Sequence, residues 1–249
     1  MEIDLLTLFL LFLAGGFSGF VDAIAGGGGI IALPALLAAG VPPHQALATN
    51  KLQGSFGSFT AAANYAHKGM LHPKELGMGV CFTLMGAAAG TLLVQYFPAI
   101  ALENTIVAML VLIFLYTLFS PDLGRIEKHA VMNKKVFYLL FGWLLGFYDG
   151  FFGPGTGSFW TMALILMQGL DLKQATAQTK LFNFTSNIVS LALFVYAGLV
   201  IWTIGLVMGA GQIVGAYIGS TMVSKKEVKF IRVFFLVVVG ATILKLLLA

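Results

Sequence analysis

Ionisable side chains within apolar stretches are the first candidates for chemistry in this 249-residue sequence. Lys51 and Lys180 each lie several residues inside a segment that is typical of an apolar helix. A lysine at the centre of a bilayer costs at least about 2.5 kcal/mol, so such side chains face a cavity, an anion or a partner carboxylate. An oxyanion would be a natural partner for both ammonium groups. The alternative is that each lysine extends along its aliphatic stem to the nearby membrane surface.

Asp22 and Asp149 are the matching carboxylates, and each precedes a glycine-rich turn. They are predicted to take up a coupling proton or to form ion pairs with the lysines, since a buried carboxylate needs a partner or a proton. In the structural alternative, they accept hydrogen bonds from the free backbone N–H groups at the start of the following helices. Both interpretations place the carboxylates where helices break.

The two glycine turns, Gly26 to Gly29 and Gly153 to Gly157, can expose backbone N–H groups at the positive end of a helix, which favours anion binding. The alternative is that these glycines serve tight turning and close helix contact. We expect no catalytic residues and no cofactor, and no metal-ligand spacing links the histidines. The predicted substrate-binding residues are Lys51, Lys180, Asn50, Thr179, Gly27, Gly28, Gly155 and Thr156.

The elements that must position these residues are helices in a membrane. Hydrophobic residues make up 59% of the chain and charged residues 10%, and the mean hydropathy is +0.95. Soluble domains carry about 25% charged residues, so water is not the surroundings of most of this chain. The apolar runs Leu5 to Phe17, Thr105 to Phe119 and Phe230 to Leu248 approach or reach the length of about 20 residues that a spanning helix needs. The apolar segments 30–39 and 157–168 are too short to cross, and we predict that they belong to broken or re-entrant hairpins.

An internal repeat divides the chain into two halves. The segment Gly19 to Asp22 matches Gly146 to Asp149 at an offset of 127, and Lys51 matches Lys180 at an offset of 129. Each repeat is predicted to hold a broken hairpin followed by three transmembrane helices, which makes the fold class all-α and polytopic. Inverted repeats with interrupted helices recur in secondary transporters. The predicted domains are a first repeat over 1–120, a cytoplasmic linker over 121–134 and a second repeat over 135–249.

Loop charges predict the topology, because Lys and Arg concentrate on the cytoplasmic side of a membrane. If each hairpin returns the chain to the side it left, both termini lie outside and the second repeat is inverted. One face then carries Lys68, Lys74, Arg125, Lys128, Lys134, Lys135, Lys173, Lys225, Lys226, Lys229 and Arg232, while Glu2, Asp4, Glu103 and Lys245 lie opposite. The net charge of +4 therefore reports topology and excludes nucleic acid as a partner. The acidic start lacks the positive region of a signal peptide, so we expect the first helix to be retained.

The same residues carry a resemblance to a known family. The segments from Gly19-Phe20-Val21-Asp22 through the first glycine turn to Ala48-Thr49-Asn50-Lys51, with their echo in the second half, resemble the TauE/SafE sulfite exporter family, also called the toluene sulfonate uptake permeases. The resemblance covers essentially the whole chain. It implies a bacterial inner-membrane transporter of sulfur-containing anions such as sulfite, sulfonates or sulfoacetate. The second turn departs from a pure glycine run through Pro154 and Thr156.

We therefore predict a secondary transporter of a small anion that works by alternating access in the lipid bilayer, with assembly into homo-oligomers left open. An anion channel of the same architecture is an alternative, since the sequence does not show whether gates alternate. An intramembrane serine hydrolase is a weaker alternative, which rests on the serine-motif spacing of Gly16-Phe17-Ser18-Gly19. Against it, no histidine lies well placed to act as the base, and the repeat has Leu145 at the position of Ser18. A non-transporting scaffold would not need ionisable residues repeated in both halves.

Overall fold

The computed structural model describes residues 4–119 and 129–223, and every regular element in these two ranges is helical. The predicted all-α class is thus confirmed for the described part of the chain. The elements are α1 (Leu5–Ala25), α2 (Gly29–Ala38), α3 (Pro43–His67), a 3-10 turn (Pro73–Leu76), α4 (Gly77–Val94), α5 (Ala99–Phe119), α6 (Lys134–Phe137), a π-helical segment (Tyr138–Gly142), α7 (Trp143–Phe151), α8 (Thr156–Gln168), α9 (Leu172–Tyr196) and α10 (Trp202–Met222).

Some predicted features lie outside the described residues. They are the last helix near 230–248, both ends of the chain and most of the linker over 121–134. The loop charges in these parts are Glu2, Arg125, Lys128, Lys225, Lys226, Lys229, Arg232 and Lys245.

Both halves show the same series of helices. A long helix is followed by a short one, α2 or α8, and then by a helix of 25 residues, α3 or α9. The long helix of the second half is a continuous run made of α6, the π-helical segment and α7. The short helices have 10 and 13 residues, so neither could cross a bilayer core of about 30 Å at a rise of 1.5 Å per residue. The predicted short segments are confirmed at both places.

Several helices suit a membrane by length and composition. In the described ranges, the stretches Leu5–Ala25, Pro73–Val94 and Trp202–Met222 are long and apolar enough to cross one. Large apolar side chains on their outer faces are exposed, among them Phe9 on α1 and Tyr217 on α10. Because such a surface would be costly in water, we take these faces to contact lipid. The central helices α3 and α9 are more polar, which fits an interior position beside a polar site.

Glycine contacts bind the long first helix of each half to a glycine-containing helix of the other half, α1 to α10 and α7 to α4. The backbone carbonyls of Phe12, Gly16 and Phe20 on α1 face the glycines at 211, 215 and 219 of α10. In the same way, the carbonyls of Trp143 and Phe147 on α7 face the glycines at 86 and 90 of α4. Absent side chains let the paired backbones approach closely. The glycine stripes of α4 and α10 are therefore packing faces.

The direction of each helix follows from the order of its contacts. Gly54 and Phe59 of α3 lie beside Asn187 and Phe184 of α9, so these two helices are antiparallel. In contrast, α10 runs parallel to α3, because its contacts advance from Leu52 with Gly205 to Phe56 with Gly209 and then to Asn64 with Ser220. Likewise, α4 runs parallel to α9, from Gly79 with Phe182 to Thr91 with Ser190.

Candidate functional site

The first break in the chain separates α1 from α2. α1 ends at Gly26, whose φ of 79° lies in the left-handed region that glycine adopts without steric cost, and whose N–H donates to the Asp22 carbonyl at 2.9 Å. The second break, between α7 and α8, has Gly153 and Gly155 with φ of 99° and 83°. Both predicted glycine turns are therefore confirmed as the points where one helix ends and the next begins.

The two turns touch each other inside the protein. A Cβ atom added at Gly157 would lie 2.5 Å from the Gly26 carbonyl oxygen, so the backbones are closer than a side chain would permit. The Ser158 hydroxyl also donates to the Ala25 carbonyl at 2.8 Å. Because one turn comes from each half, the two breaks form a single site.

Two ion pairs cross between the halves at this site. The Lys51 ammonium lies 2.7 Å from a carboxylate oxygen of Asp149, and the Lys180 ammonium lies 3.0 Å from a carboxylate oxygen of Asp22. The lysine side chains are only 1% and 0% exposed, so neither reaches the membrane surface. Each half therefore supplies the lysine that neutralises the carboxylate of the other.

Each lysine also binds a main-chain carbonyl. Lys51 donates to the carbonyl of Asp149, and Lys180 to the carbonyl of Asp22. These carbonyls lie in the last turns of α7 and α1, where the helix dipole is negative, and the Asp22 carbonyl accepts the Gly26 N–H in addition to Lys180. One ammonium thus neutralises a side chain and stabilises the end of a broken helix at the same time.

The second carboxylate oxygen is held differently in the two pairs. In Asp149, it accepts a hydrogen bond from the Ser186 hydroxyl on α9. In Asp22, the other oxygen receives the Gly28 N–H at a longer distance of 3.3 Å. An offset of 129 relates Ser186 to Gly57, which has no hydroxyl. The Asp149 pair is therefore the more tightly held of the two.

Replacing Ser186 with alanine is expected to lower the free energy of unfolding by about 1–2 kcal/mol, because a hydrogen bond to a charged buried group is lost. Thermal unfolding in detergent would measure the change. Ser55→Ala is the control, since among the described residues the Ser55 hydroxyl bonds only to the carbonyl of Lys51 in its own helix. Equal destabilisation by the two substitutions would contradict a special contribution of Ser186 to the Asp149 pair.

A cavity of about 40 Å³ lies where the turns meet, which is room for about three water molecules. Its lining is polar, and apart from the two carboxylates it is uncharged. The lining residues are Asp22, Gly26, Gly28, Gly29, Asn50, Gln53, Gly54, Asp149, Gly153, Gly155, Thr156, Gly157, Asn183, Asn187 and Gln212.

Hydrogen-bond donors without an acceptor border this cavity. The backbone N–H groups of Gly29 and Gly157, in the first turns of α2 and α8, find no acceptor among the described residues. Asn183 is 6% exposed, and its side-chain oxygen also has no partner in the described ranges. A side-chain amide can turn either its oxygen or its NH2 group toward a ligand. Two helix N-termini and a free amide would suit a small anion.

The predicted substrate-binding residues divide into two groups. Asn50, Gly28, Gly155 and Thr156 line the cavity, although the Gly28 and Thr156 N–H groups already donate to Asp22 and to the Gly153 carbonyl. The other four are not among the residues that line the cavity. Lys51 and Lys180 are engaged by the carboxylates, Thr179 shares a hydrogen bond with Thr161, and Gly27 belongs to the turn.

Gln53, Asn183, Asn187 and Gln212 are among the polar residues in apolar helices of which the sequence predicts that some line the path, although interhelical hydrogen bonds are the commoner explanation for each, and none was assigned to the binding site. Sequence reasoning missed Ser186. A signal for two of the amides was present: Lys180, Asn183 and Asn187 follow one another at spacings of three and four, which places them on one face of a helix. Gln53 and Gln212 carried no such signal, because they meet only through the packing of α3 against α10.

Ser18, the serine of the hydrolase alternative, is fully buried in a hydrogen-bond chain. Its hydroxyl donates to the Gly28 carbonyl at 2.7 Å and accepts from the Gln212 amide at 2.9 Å. The serine thus stabilises the first turn, with an amide where a hydrolase would need a base.

Irregular backbone at membrane depth is tolerated only where it is buried in protein or lines a cavity. Two helix breaks that meet beside buried, paired charges are typical of a membrane transporter. The model of the sulfite exporter TauE/SafE family matches residues 11–246. The chain belongs to this family, as its motifs indicated. It is a membrane transporter and not an enzyme.

Curated relatives agree with this assignment. "Probable membrane transporter protein ORF9" of a Sinorhizobium species is 42% identical over 96% of this chain and 92% of its own length. "Probable membrane transporter protein YfcA" of Escherichia coli K12 is also 42% identical, over 97% and 90%. A more distant relative, "Probable membrane transporter protein YdhB" of Bacillus subtilis, is 26% identical over 87% and 89%. No solved structure gives a significant match.

Proposed function

We propose that this protein carries a small sulfur-containing anion, such as sulfite, a sulfonate or sulfoacetate, across the bacterial inner membrane. The anion binds in the cavity between the two glycine turns. The observation that carries the proposal is the pair of backbone N–H groups there without an acceptor among the described residues, those of Gly29 and Gly157, beside the Asn183 amide, whose NH2 group could turn toward an anion. The family description names sulfite exporters, which favours sulfur oxyanions among small anions.

The lysines act at this site by their charge. Lys51 and Lys180 contact the carboxylates that line the cavity, so loosening of an ion pair leaves an ammonium group free to attract the bound anion. The substrate-binding role predicted for both lysines is therefore kept in the proposal. In the described conformation, they hold the carboxylates in place.

Transport occurs by alternating access of two inverted repeats. Supporting evidence is that α3 is antiparallel to α9, while α10 follows α3 and α4 follows α9, so equivalent helices of the two halves run in opposite directions. Two halves related in this way can rock about a shared site and open it to either side.

The basic loops lie on the cytoplasmic face and both termini lie in the periplasm. Supporting evidence is that the loop ends assigned to the basic face share one hydrophobic cluster, which includes Leu71, Met132, Leu170 and Val223. Chain segments assigned to the opposite face, around Val41, Phe97 and Leu199, share a different cluster. The positive-inside rule then sets the orientation.

Purified protein in liposomes tests the proposal with labelled sulfite, methanesulfonate and sulfoacetate. We expect saturable uptake of at least one anion, accelerated when the same unlabelled anion is inside, because a carrier exchanges whereas a channel does not. Absence of saturable uptake for all three would refute the function. An anion flux that rises linearly with the anion concentration and is not accelerated by unlabelled anion inside would favour an anion channel.

Asn183→Ala tests the position of the binding site. The substitution is expected to raise the half-saturating concentration of the transported anion about tenfold, since one hydrogen bond to a charged ligand is worth about 1.5 kcal/mol or more. Gln95→Ala is the matched control, because the Gln95 amide bonds to the Thr91 carbonyl in its own helix, away from the cavity lining. Equal affinity of the two variants for the anion would show that the anion does not bind in this cavity.

A further inference from the structure

The charges around the cavity sum to zero. Lys51 and Lys180 balance Asp149 and Asp22, and the remaining lining residues are glycines, amides and a threonine. A monoanion that enters this site leaves one uncompensated negative charge in surroundings that solvate charge poorly. One additional positive charge would restore neutrality.

A proton on one of the carboxylates supplies that charge. When a carboxylate of a crossed pair becomes neutral, its lysine keeps its positive charge and loses its partner, so the ammonium attracts the anion in the cavity. The proton and the anion therefore stabilise each other, and each raises the affinity for the other by the same factor.

Asp22 is the better acceptor of this proton. Its bond to Lys180 is 3.0 Å long, against 2.7 Å for Asp149 with Lys51, and its second oxygen holds a backbone N–H at 3.3 Å in place of the Ser186 hydroxyl. The Asp22 side chain is also 16% exposed, against 6% for Asp149, so a proton reaches it more easily.

The titratable surroundings of Asp22 are few. Lys180 contacts it from α9, and Tyr65 of α3 lies nearby, with its hydroxyl on the Ala23 carbonyl at 2.7 Å. The Lys51 and Asp149 pair lies across the cavity. The sequences of α2 and α8 contain no titratable side chain, and Tyr217, the one such residue of α10, is exposed. Of the two carboxylates that line the cavity, Asp22 is thus the less tightly held and the more exposed.

We propose that Asp22 takes up one proton with each monoanion, that this releases Lys180 toward the anion, and that the protein is a proton and anion symporter. This inference rests on the proposed function, because it needs an anion in the same cavity. It names the coupling ion and assigns different roles to two carboxylates that the repeat makes equivalent.

Methanesulfonate is the probe for the test, because its charge stays at −1 at all relevant pH values and any pH effect then comes from the protein. Wild-type proteoliposomes with the membrane potential clamped at zero should accumulate it about tenfold for each unit of pH that the outside is more acidic. An internal pH dye should record one proton entering per methanesulfonate. Accumulation that ignores the pH gradient, or uptake without proton entry, would overturn the proposal.

Asp22→Asn tests the assignment to one carboxylate. The variant should still exchange labelled for unlabelled methanesulfonate but should lose gradient-driven accumulation, while Asp22→Glu keeps it. Asp149→Asn should keep a response to the gradient even where its rate is reduced. A gradient response in Asp22→Asn would refute the role of Asp22, and the proton count in the wild type remains decisive where a variant fails to fold. Lack of methanesulfonate exchange in the wild type would instead count against the proposed function for monoanions.

Discussion

Replacing Lys51 by methionine is expected to lower the free energy of unfolding by about 3–5 kcal/mol and to reduce anion uptake at least about tenfold. The substitution leaves Asp149 buried without its counter-ion, and removing one partner of a buried pair costs about this much. The carbonyl at the end of α7 loses its donor as well. Methionine keeps the length of the side chain, so the effect reports charge and hydrogen bonding.

Thermal unfolding in detergent and uptake into liposomes measure these two losses. Lys74→Met is the matched control, because Lys74 is exposed in the turn before α4 and the same change there should be nearly neutral. The double variant Lys51→Met with Asp149→Leu removes both charges, and we expect it to regain much of the stability but not the uptake. A single variant as stable as Lys74→Met would show that the pair contributes little to the fold.

Gly215→Ala is expected to destabilise the protein by about 3 kcal/mol, at the upper end of the usual cost of overpacking. A Cβ atom at this position would overlap the Gly16 carbonyl oxygen, so α1 and α10 must move apart along their whole contact. Backbone atoms cannot turn aside as a side chain would. Asp22 lies in the last helical turn of α1, so a shift of this helix also displaces the carboxylate. Anion uptake should therefore fall together with stability.

The same contact supplies the control for this prediction. A Cβ atom at Gly16 would lie 3.5 Å from the nearest atom, the Gly211 carbonyl oxygen, which is an ordinary contact distance. Gly16→Ala should therefore unfold close to the wild-type temperature, whereas Gly215→Ala unfolds several degrees lower. Similar midpoints for the two variants would mean that the helices are not in close contact at these glycines.

The helix breaks could be predicted because their causes are local. Glycine-rich turns end helices, and segments of ten to thirteen residues cannot span a bilayer, so the sequence contained both the position and the type of each break. Lys51 and Asp22 were found for a similar reason, since an ionisable residue in an apolar helix is rare unless it has a function. The family followed from the motifs around them.

The pairing across the halves could not be predicted. The repeat makes Asp22 equivalent to Asp149, so either carboxylate could serve Lys51 as far as the sequence shows. The choice depends on α3 packing beside the end of α7, which is a tertiary contact between distant segments. The amide network of Gln53 and Gln212 depends in the same way on which helix lies opposite. Contacts of this kind have no signal in a single sequence.

The crossed ion pairs also bear on how the protein is made. A ribosome delivers the first half to the membrane before the second half exists, so newly inserted Asp22 must wait for Lys180, and Lys51 for Asp149. Until then, the nascent chain holds charges in lipid surroundings that it cannot neutralise in their final arrangement. Asp22 and Lys51 therefore reach their final partners only after the segments that carry Asp149 and Lys180 have been inserted, so the site forms from both halves together.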